Sequence, residues 1–351
     1  MCIRDSDSTT YQASDAVTVI RGAHSIQFGG DYRRMDINSF LNLYSRGSMS
    51  FSGAISGTGI SDLLLGYPTL DIQAQDNNPQ AQRTASYDAF VQDDWKVLPN
   101  LTFNIGLRYE FNTPVVDAHN GMAAFDVQTG LLAQVGTDGI TRSGYRPDWA
   151  NIGPRFGLAW SPSPGFVVRG GYGIFYDAGI TVSNSALYFN PPYFVLRVFF
   201  PSDSGLLTLS NPFALSNGYV PPPGLNSLSP DLRTSYMQSW NLNLQREVRS
   251  VGTLSVAYAG SKGTHLLRSL DLNQPAPGPG DLSTREPYPQ YSNIFFTESG
   301  ADSEYQSLQA SLHRNLSRGL SMIVSYTFSK SIDDTSAYLG DTCLLYTSRC
   351  V

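Results

Sequence analysis

The period of the apolar residues constrains this chain more than any other feature. In residues 101–111, LTFNIGLRYEF, Leu101, Phe103, Ile105, Leu107, Tyr109 and Phe111 alternate with Thr102, Asn104, Gly106, Arg108 and Glu110. Successive side chains of a strand point to opposite faces. The segment is therefore a ribbon with one apolar face and one polar face. About ten tilted residues of this kind cross a hydrocarbon core of ~30 Å. The alternation returns in 152–160, 166–176, 236–248, 253–260 and 320–331. An antiparallel transmembrane β-barrel follows, with the apolar face toward lipid and the polar face toward a watery lumen.

Hydropathy alone misses such a protein, because every second residue is polar. The longest apolar run, near 193–200, is interrupted by Arg197 and is far too short for a membrane helix. Composition agrees with the barrel. Charged residues make up 15% of the chain, against roughly 25% in an average soluble domain. A net charge of −6 gives no basic stripe for nucleic acid. Cys2, Cys343 and Cys350 lie at the extreme ends, so no internal disulfide framework or CxxC metal site is available.

Those ends break the pattern beside them. MCIRDS at the start and CLLYTSRCV at the finish resemble translated read-through of a sequencing adaptor. Residues 1–6 and 342–351 are set aside on that ground, leaving 7–341 as the barrel segment. The true termini then lie elsewhere.

Taken in order, 16–37 reads as a hairpin turning at 21–24. A short helix is expected at 59–66, capped by Ser61 and ended by Pro68. Residues 86–97 form a strand whose alternation falters, because Asp93 shares the parity of Val91 and Trp95. A bulge or a place at the membrane edge would each account for it. Further strands are expected at 305–316 and 320–331. Short turns fall at 98–100, 161–165, 249–252 and 316–319. Aperiodic stretches fill 112–151, 177–234 and 261–302, with a small hairpin near 123–132. Structureless loops of such length argue against a compact soluble domain. Short turns on one side and long loops on the other suit an outer-membrane barrel. Trp95, Phe103, Trp160 and Phe166 flank the short turns. Tyr109, Phe111, Tyr176, Trp240 and Phe328 lie near the long-loop ends. Two interfacial girdles are expected from them. The count is about ten strands, roughly half of a 22-stranded transporter wall. Such a piece leaves two unpaired edges, which lipid does not tolerate.

GLRYEFNTP, NIGPRFGLAWSP, RGGYGIFYD, QSWNLNLQREV, VAYAGSKGTHL and VSYTFSKSIDD together resemble the barrel of TonB-dependent outer-membrane receptors. The similarity is to the Oar-like subgroup, which carries a carboxypeptidase-regulatory-like domain. It spans about residues 10–340. The resemblance implies import of a large or scarce solute, with TonB, a plug domain, outer-membrane lipid and lipopolysaccharide as partners. No TonB box or plug is visible, so no ligand or TonB contact carries over to a numbered residue.

No residue is assigned as catalytic, cofactor-binding or metal-binding. His24, His119, His265 and His313 show no metal spacing. Asp93-Asp94 and Asp333-Asp334 are adjacent, so each pair splits across two faces and makes no acid/base site by itself. A loop or strand-end calcium ion is the alternative there. Residues 260–264, GSKGT, lack the order of a phosphate loop. The sequons at Asn100 and Asn315 lie at short turns and read as turn chemistry. Arg108, Arg155 and Arg169 belong to polar faces, where arginines pair with nearby acids or steer anions. Neither a GxSxG elbow nor a catalytic triad order is visible. Transport is expected rather than catalysis. A passive porin-like barrel is the first rival, and a secreted carbohydrate-binding β-protein with its apolar face sandwiched inside is the second.

Overall fold

The computed structural model of the protein describes residues 6–40, 43–76, 79–177, 185–201, 207–213, 218–249, 251–317 and 320–335. The two terminal segments set aside from the sequence lie almost wholly outside them. In chain order the elements are β1 (Ser6–Arg21), β2 (His24–Phe40), β3 (Ser48–Ser50), α1 (Gly59–Leu65), β4 (Leu70–Asp76), β5 (Pro79–Leu98) and β6 (Leu101–Asn112). Then follow β7 (Val116–Asp117), β8 (Ala123–Asp126), β9 (Leu131–Gln134), β10 (Ile152–Ser163), β11 (Phe166–Tyr176) and β12 (Phe194–Phe199). The last are β13 (Gly218–Tyr219), β14 (Leu225–Leu228), β15 (Tyr236–Val248), β16 (Gly252–Asp271), β17 (Ile294–Ser317) and β18 (Leu320–Asp333). Two short 3-10 turns, Ser185–Phe189 and Leu282–Arg285, lie in the connections. No described helix is long and apolar enough to cross a membrane.

Ten long strands form one antiparallel wall in the order β1-β2-β5-β6-β10-β11-β15-β16-β17-β18. Consecutive neighbours are what short hairpin turns produce. The wall is staggered. One row of hydrogen-bond partners runs Arg21, His24, Trp95, Phe103, Leu158, Gly170, Leu242, Tyr258, Leu308 and Phe328. At the first hairpin this row touches the turn. It crosses Trp95 three residues before β5 ends at Leu98, Leu158 five before Ser163, Leu242 six before Val248, and Leu308 nine before Ser317. The slip averages about one residue, ~3.3 Å, for each ~4.8 Å step between strands, which tilts the strands by roughly 35–40°. That is the tilt of a membrane barrel wall.

Register fixes the faces. Phe28, Val91 and Leu107 are direct partners on the outer face. One residue along, Gln27, Gln92, Gly106, Arg155, Gly173, Ser239 and Ser261 are partners on the inner face. The outer apolar residues pack against no second layer. Leu107, Leu244 and Val324 are 46%, 41% and 51% exposed. Neither they nor Phe103 and Leu158 belong to a buried cluster. Among the described residues this counts against the sandwich alternative for the apolar face.

The strands outrun the membrane. β5 and β16 have 20 residues and β17 has 24, about twice what a bilayer core needs. β16 therefore takes in residues expected to form a loop after 260, and β17 begins at Ile294 rather than 305. Their upper halves carry a cap built from the long connections. These stretches were expected to lack structure; their described residues do not, and 178–184, 202–206 and 214–217 lie outside the described residues. The expected hairpin near 123–132 is β8–β9. β12 and β13 join β4 and β3 in a four-stranded cap sheet. β14 pairs in parallel with the start of β17. Met122, Val135, Tyr145, Leu187, Tyr188 and Leu228 form one buried cluster, and Phe125, Leu225 and Ile294 a second. Most of the buried core sits in the cap, since the wall itself leaves its outer apolar face to lipid.

The helix is present, with different ends from those expected. Thr58, not Ser61, is the N-cap, and its side chain accepts from Ser61 N at 3.3 Å. Gly66 stops the helix in the left-handed region at φ 78°, two residues before Pro68.

Candidate functional site

Three surfaces can carry function: the outer belt, the inner wall and the cap. On the outer belt, Trp95 lies 6.3 Å from Phe103, and Tyr87 stacks on Phe111 at 6.3 Å. On both strands the two aromatics are eight residues apart. Eight residues at the wall's tilt separate the rows by about 20 Å, close to the ~25 Å apolar band of an outer-membrane barrel. His24 extends the lower row by stacking on Trp95 at 5.3 Å, and Tyr32 extends the upper row at 5.1 Å from Tyr87. Trp149 folds back from the long connection and stacks on Phe111 at 3.8 Å. Sequence spacing alone does not show that contact.

Asp93 faces outward, as its parity requires. The bulge in the β5–β6 pairing falls between Lys96 and Leu98, not at Asp93. The charge is accommodated by His24, whose Nδ1 donates to Asp93 Oδ2 at 2.6 Å near the short-turn end. Asp94 faces inward and accepts from Asn104 Nδ2 at 2.6 Å. The adjacent pair is split across the wall.

Two of the described inner-wall arginines, Arg108 and Arg33, are paired with carboxylates. Arg108 holds Glu110 at 2.5 Å and Asp88 at 3.2 Å. Arg33 lies 3.8 Å from Asp31. Asp31, Asp88 and Glu110 are direct register partners across three strands. Like charges placed directly opposite repel, and the two arginines offset this. Arg169 donates to Gln245 Oε1 at 3.0 Å, and Arg155 lies 4.7 Å over the Phe175 ring.

The cap is knitted by buried polar side chains. Asp117 accepts from Ala81 N, His119 N, Gly121 N and the Tyr188 hydroxyl, each at 2.8 Å. Burial opposes ionisation of Asp117, but these donors outweigh it and hold the carboxyl below its usual range. Burial, reinforced by Asp117, pushes the Tyr188 phenol far up. Asn190 Nδ2 donates to Ala123 O and Asn226 O, while its Oδ1 accepts from Asn226 N. Asn273 Nδ2 reaches the carbonyls of Tyr288, Tyr291 and Ser292. Asp71 differs. It is fully buried, both carboxylate oxygens lack a hydrogen-bond partner among the described residues, and burial raises its pKa to about 6.

The remaining sequence candidates disperse. His119 lies in the cap beside Asp117, His265 packs edge-on to Tyr236 at 5.5 Å, and His313 is on the inner face of β17. Residues 260–264 lie within β16, running into a register shift that begins after Gly263. Asn100 Nδ2 donates to Ser161 O at 2.9 Å, as turn chemistry predicts. Asp334 accepts from Asp302 N, away from Asp93 and Asp94. Among the described residues no cluster of three or more His, Cys, Asp or Glu is arranged to hold a metal ion. Sequence reading missed Asp117, Asn190, Asn273 and Asp71. Only the first left a trace, since D-x-H-x-G suits an Asp side chain folding back on following amides.

A tilted antiparallel wall with an apolar outer belt, a polar inner face and long strands on one side defines an outer-membrane β-barrel protein. The chain belongs to the outer membrane beta-barrel domain family, whose sequence model matches residues 3–347. Its place is the cell outer membrane. None of the curated proteins matches the sequence. Among solved structures it is similar to a variant of the ferric enterobactin receptor PfeA from Pseudomonas aeruginosa. That match has 13% identity and a TM-score of 0.50, covering 92% of this chain and 36% of the other. The outer-membrane transporter YddB from Escherichia coli matches at 14% identity and TM-score 0.49, covering 93% and 34%. The siderophore receptor PirA from Acinetobacter baumannii matches at 12% identity and TM-score 0.48, covering 93% and 37%. The chain thus spans about a third of the length of these structures. At such identity the likeness concerns the fold.

Proposed function

We propose that this chain is a segment of the wall and extracellular cap of a TonB-dependent receptor of the Oar-like kind, importing a solute across the outer membrane. The observation that carries this reading is the pairing of a staggered ten-strand wall with a cap that has its own packed core. A passive pore needs the wall but not a folded assembly of long connections at one end. The likeness of the wall to a receptor chain about three times its length also supports it, as do the sequence segments named above. On this reading, β1 and β18 pair with further strands of a longer wall. A plug, TonB and an unidentified ligand belong to the same complete protein.

The test is made on the complete gene product in outer membranes. Site-specific crosslinking between its periplasmic face and TonB, strengthened when ligand is present, is the expected result. A constitutively open, ion-conducting pore that never crosslinks to TonB would select the porin-like alternative.

A further inference from the structure

The cap contains a cavity of about 500 Å³, a size usual for ligand pockets. It lies between the β8–β9 hairpin, the loop after β9 and the segment after β14. The start of β17 adds Phe296, at the end of that strand that outruns the bilayer. None of the lining comes from the membrane-spanning rows of the wall. Val127, Ile140, Leu228 and Phe296 supply apolar surface, and Asp126, Gln128, Asp138, Thr141 and Arg146 supply polar groups.

The backbone around the cavity holds these polar groups in place. Asp126 accepts from Gln128 N at 3.0 Å and from Thr129 Oγ1 at 2.8 Å, which fixes its carboxylate at the hairpin turn. Asp138 sits in a tight turn closed by Ile140 N donating to Thr137 O at 2.9 Å. It takes φ 51°, beside Gly139 at φ 83°. A left-handed residue other than glycine is uncommon and marks a constrained position. Arg146 N donates to Pro230 O at 2.9 Å, and the Arg146 guanidinium pairs with Asp231. The two walls of the cavity are thereby clasped together.

The chemistry of the lining narrows the ligand. Asp126 and Asp138 accept hydrogen bonds, Arg146 donates them, and Gln128 and Thr141 do both. Asp231 already offsets the charge of Arg146, so an anion gains little there. Among the described residues no three acids converge as a metal ion requires. Mixed donors and acceptors beside apolar surface and one aromatic ring suit a ligand with hydroxyls on its edge and C–H groups on its faces. A pyranose is such a ligand. Its hydroxyls donate and accept, and its polarised C–H face packs on the negative face of a ring.

We propose that this cavity is a saccharide site in the cap, taking an uncharged sugar unit of the solute. It rests on the transport reading, with the cap extracellular, and adds a chemical class to the unidentified solute. Phe296 supplies the ring, Asp126 and Asp138 accept from sugar hydroxyls, and Gln128 and Arg146 donate to them.

The probe is a printed array of neutral and acidic oligosaccharides, presented to the complete protein in a detergent without a sugar headgroup. The strongest neutral binder is then titrated by calorimetry. Saturable binding of a neutral glycan is expected. Gln128→Ala should weaken it about threefold to tenfold, as loss of one hydrogen bond does. Phe296→Leu keeps an apolar side chain, removes the flat ring and should weaken it about fivefold or more. Leu131→Ala, exposed on the same hairpin outside the cavity, should change it less than about twofold. Unchanged exchange protection of 122–126 shows that the cap of a variant is folded, and Gln128, on an exposed turn, tests the site without touching the core. The site is overturned if no neutral glycan binds, if only acidic glycans bind, or if folded Gln128→Ala and Phe296→Leu both bind as the wild type does. Binding is read without TonB. Failure here therefore leaves the transport reading standing, and failed TonB crosslinking leaves the site standing.

Discussion

The Tyr188 hydroxyl donates to Asp117 Oδ2 at 2.8 Å and joins segments 71 residues apart in the chain. Both residues are fully buried. The bond ties the connection after β11 to the connection after β6, and through Ala81 N it ties both to the wall.

Asp117→Ala should therefore loosen the cap without melting the wall. It strips the acceptor from three backbone amides and one phenol. Each buried donor left unsatisfied costs about 1–3 kcal/mol, and partial relaxation makes a loss of ~3 kcal/mol the expected scale. Hydrogen exchange should accelerate across 113–145 and 185–199 while 101–111 keeps its protection. The folded pKa of Asp117 is depressed, so its stabilisation is present above about pH 4 and is lost as pH falls through the folded value.

Asp71 has the opposite sign. Its carboxyl is raised from 3.8 to about 6 in the folded cap sheet. Stability held below about pH 4 is lost as pH rises toward 6, and above 6 the buried charge is a constant burden. Asp71→Asn should stabilise the sheet of β3, β4, β12 and β13 by ~2 kcal/mol at pH 8 and by little at pH 4. Exchange protection of 70–76 measured at both pH values checks this.

The two faces of the wall should respond differently to one substitution. Leu107→Arg places a charge in the outer belt and should cost about 2–4 kcal/mol on unfolding from lipid vesicles. Asn104→Arg, three residues away on the inner face, should cost less than about 1 kcal/mol. Equal costs would show that the outer face does not meet lipid.

Gly260 lies under Trp240, its direct partner on the neighbouring strand. A Cβ there would come within 2.6 Å of the indole nitrogen. Gly260→Ala should displace the ring and cost roughly 1–2 kcal/mol. Tryptophan emission should shift with it, and an unchanged spectrum would show that the ring is not seated on the glycine.

The wall was legible because strand alternation is local. Leu101 to Phe111 shows its two faces in eleven consecutive residues, with no help from the rest of the chain. The hairpin turns at 98–100 and 161–165 followed, and so did the resemblance of the barrel segments; the turns at 249–252 and 316–319 lie partly outside the described residues. The sequence also exposed the misfit of Asp93, although His24, 69 residues away, was needed to explain it. The strand ends were misjudged at β16 and β17 because above the bilayer no lipid enforces the alternation. Arg155 was singled out, but its place over the Phe175 ring depends on a residue of the neighbouring strand.

What the sequence determined by itself is the membrane-spanning wall, because a period of two against lipid is written residue by residue. The tertiary structure alone decided the cap. Met122, Val135, Tyr145, Leu187 and Leu228 come from separate aperiodic connections and form a core only when the wall brings those connections together. Asp117 and Asp71 are the same residue type in the same cap, yet burial with four donors lowers one carboxyl, and burial with none among the described residues raises the other. That difference is set by neighbours distant in the chain, so no local pattern contains it.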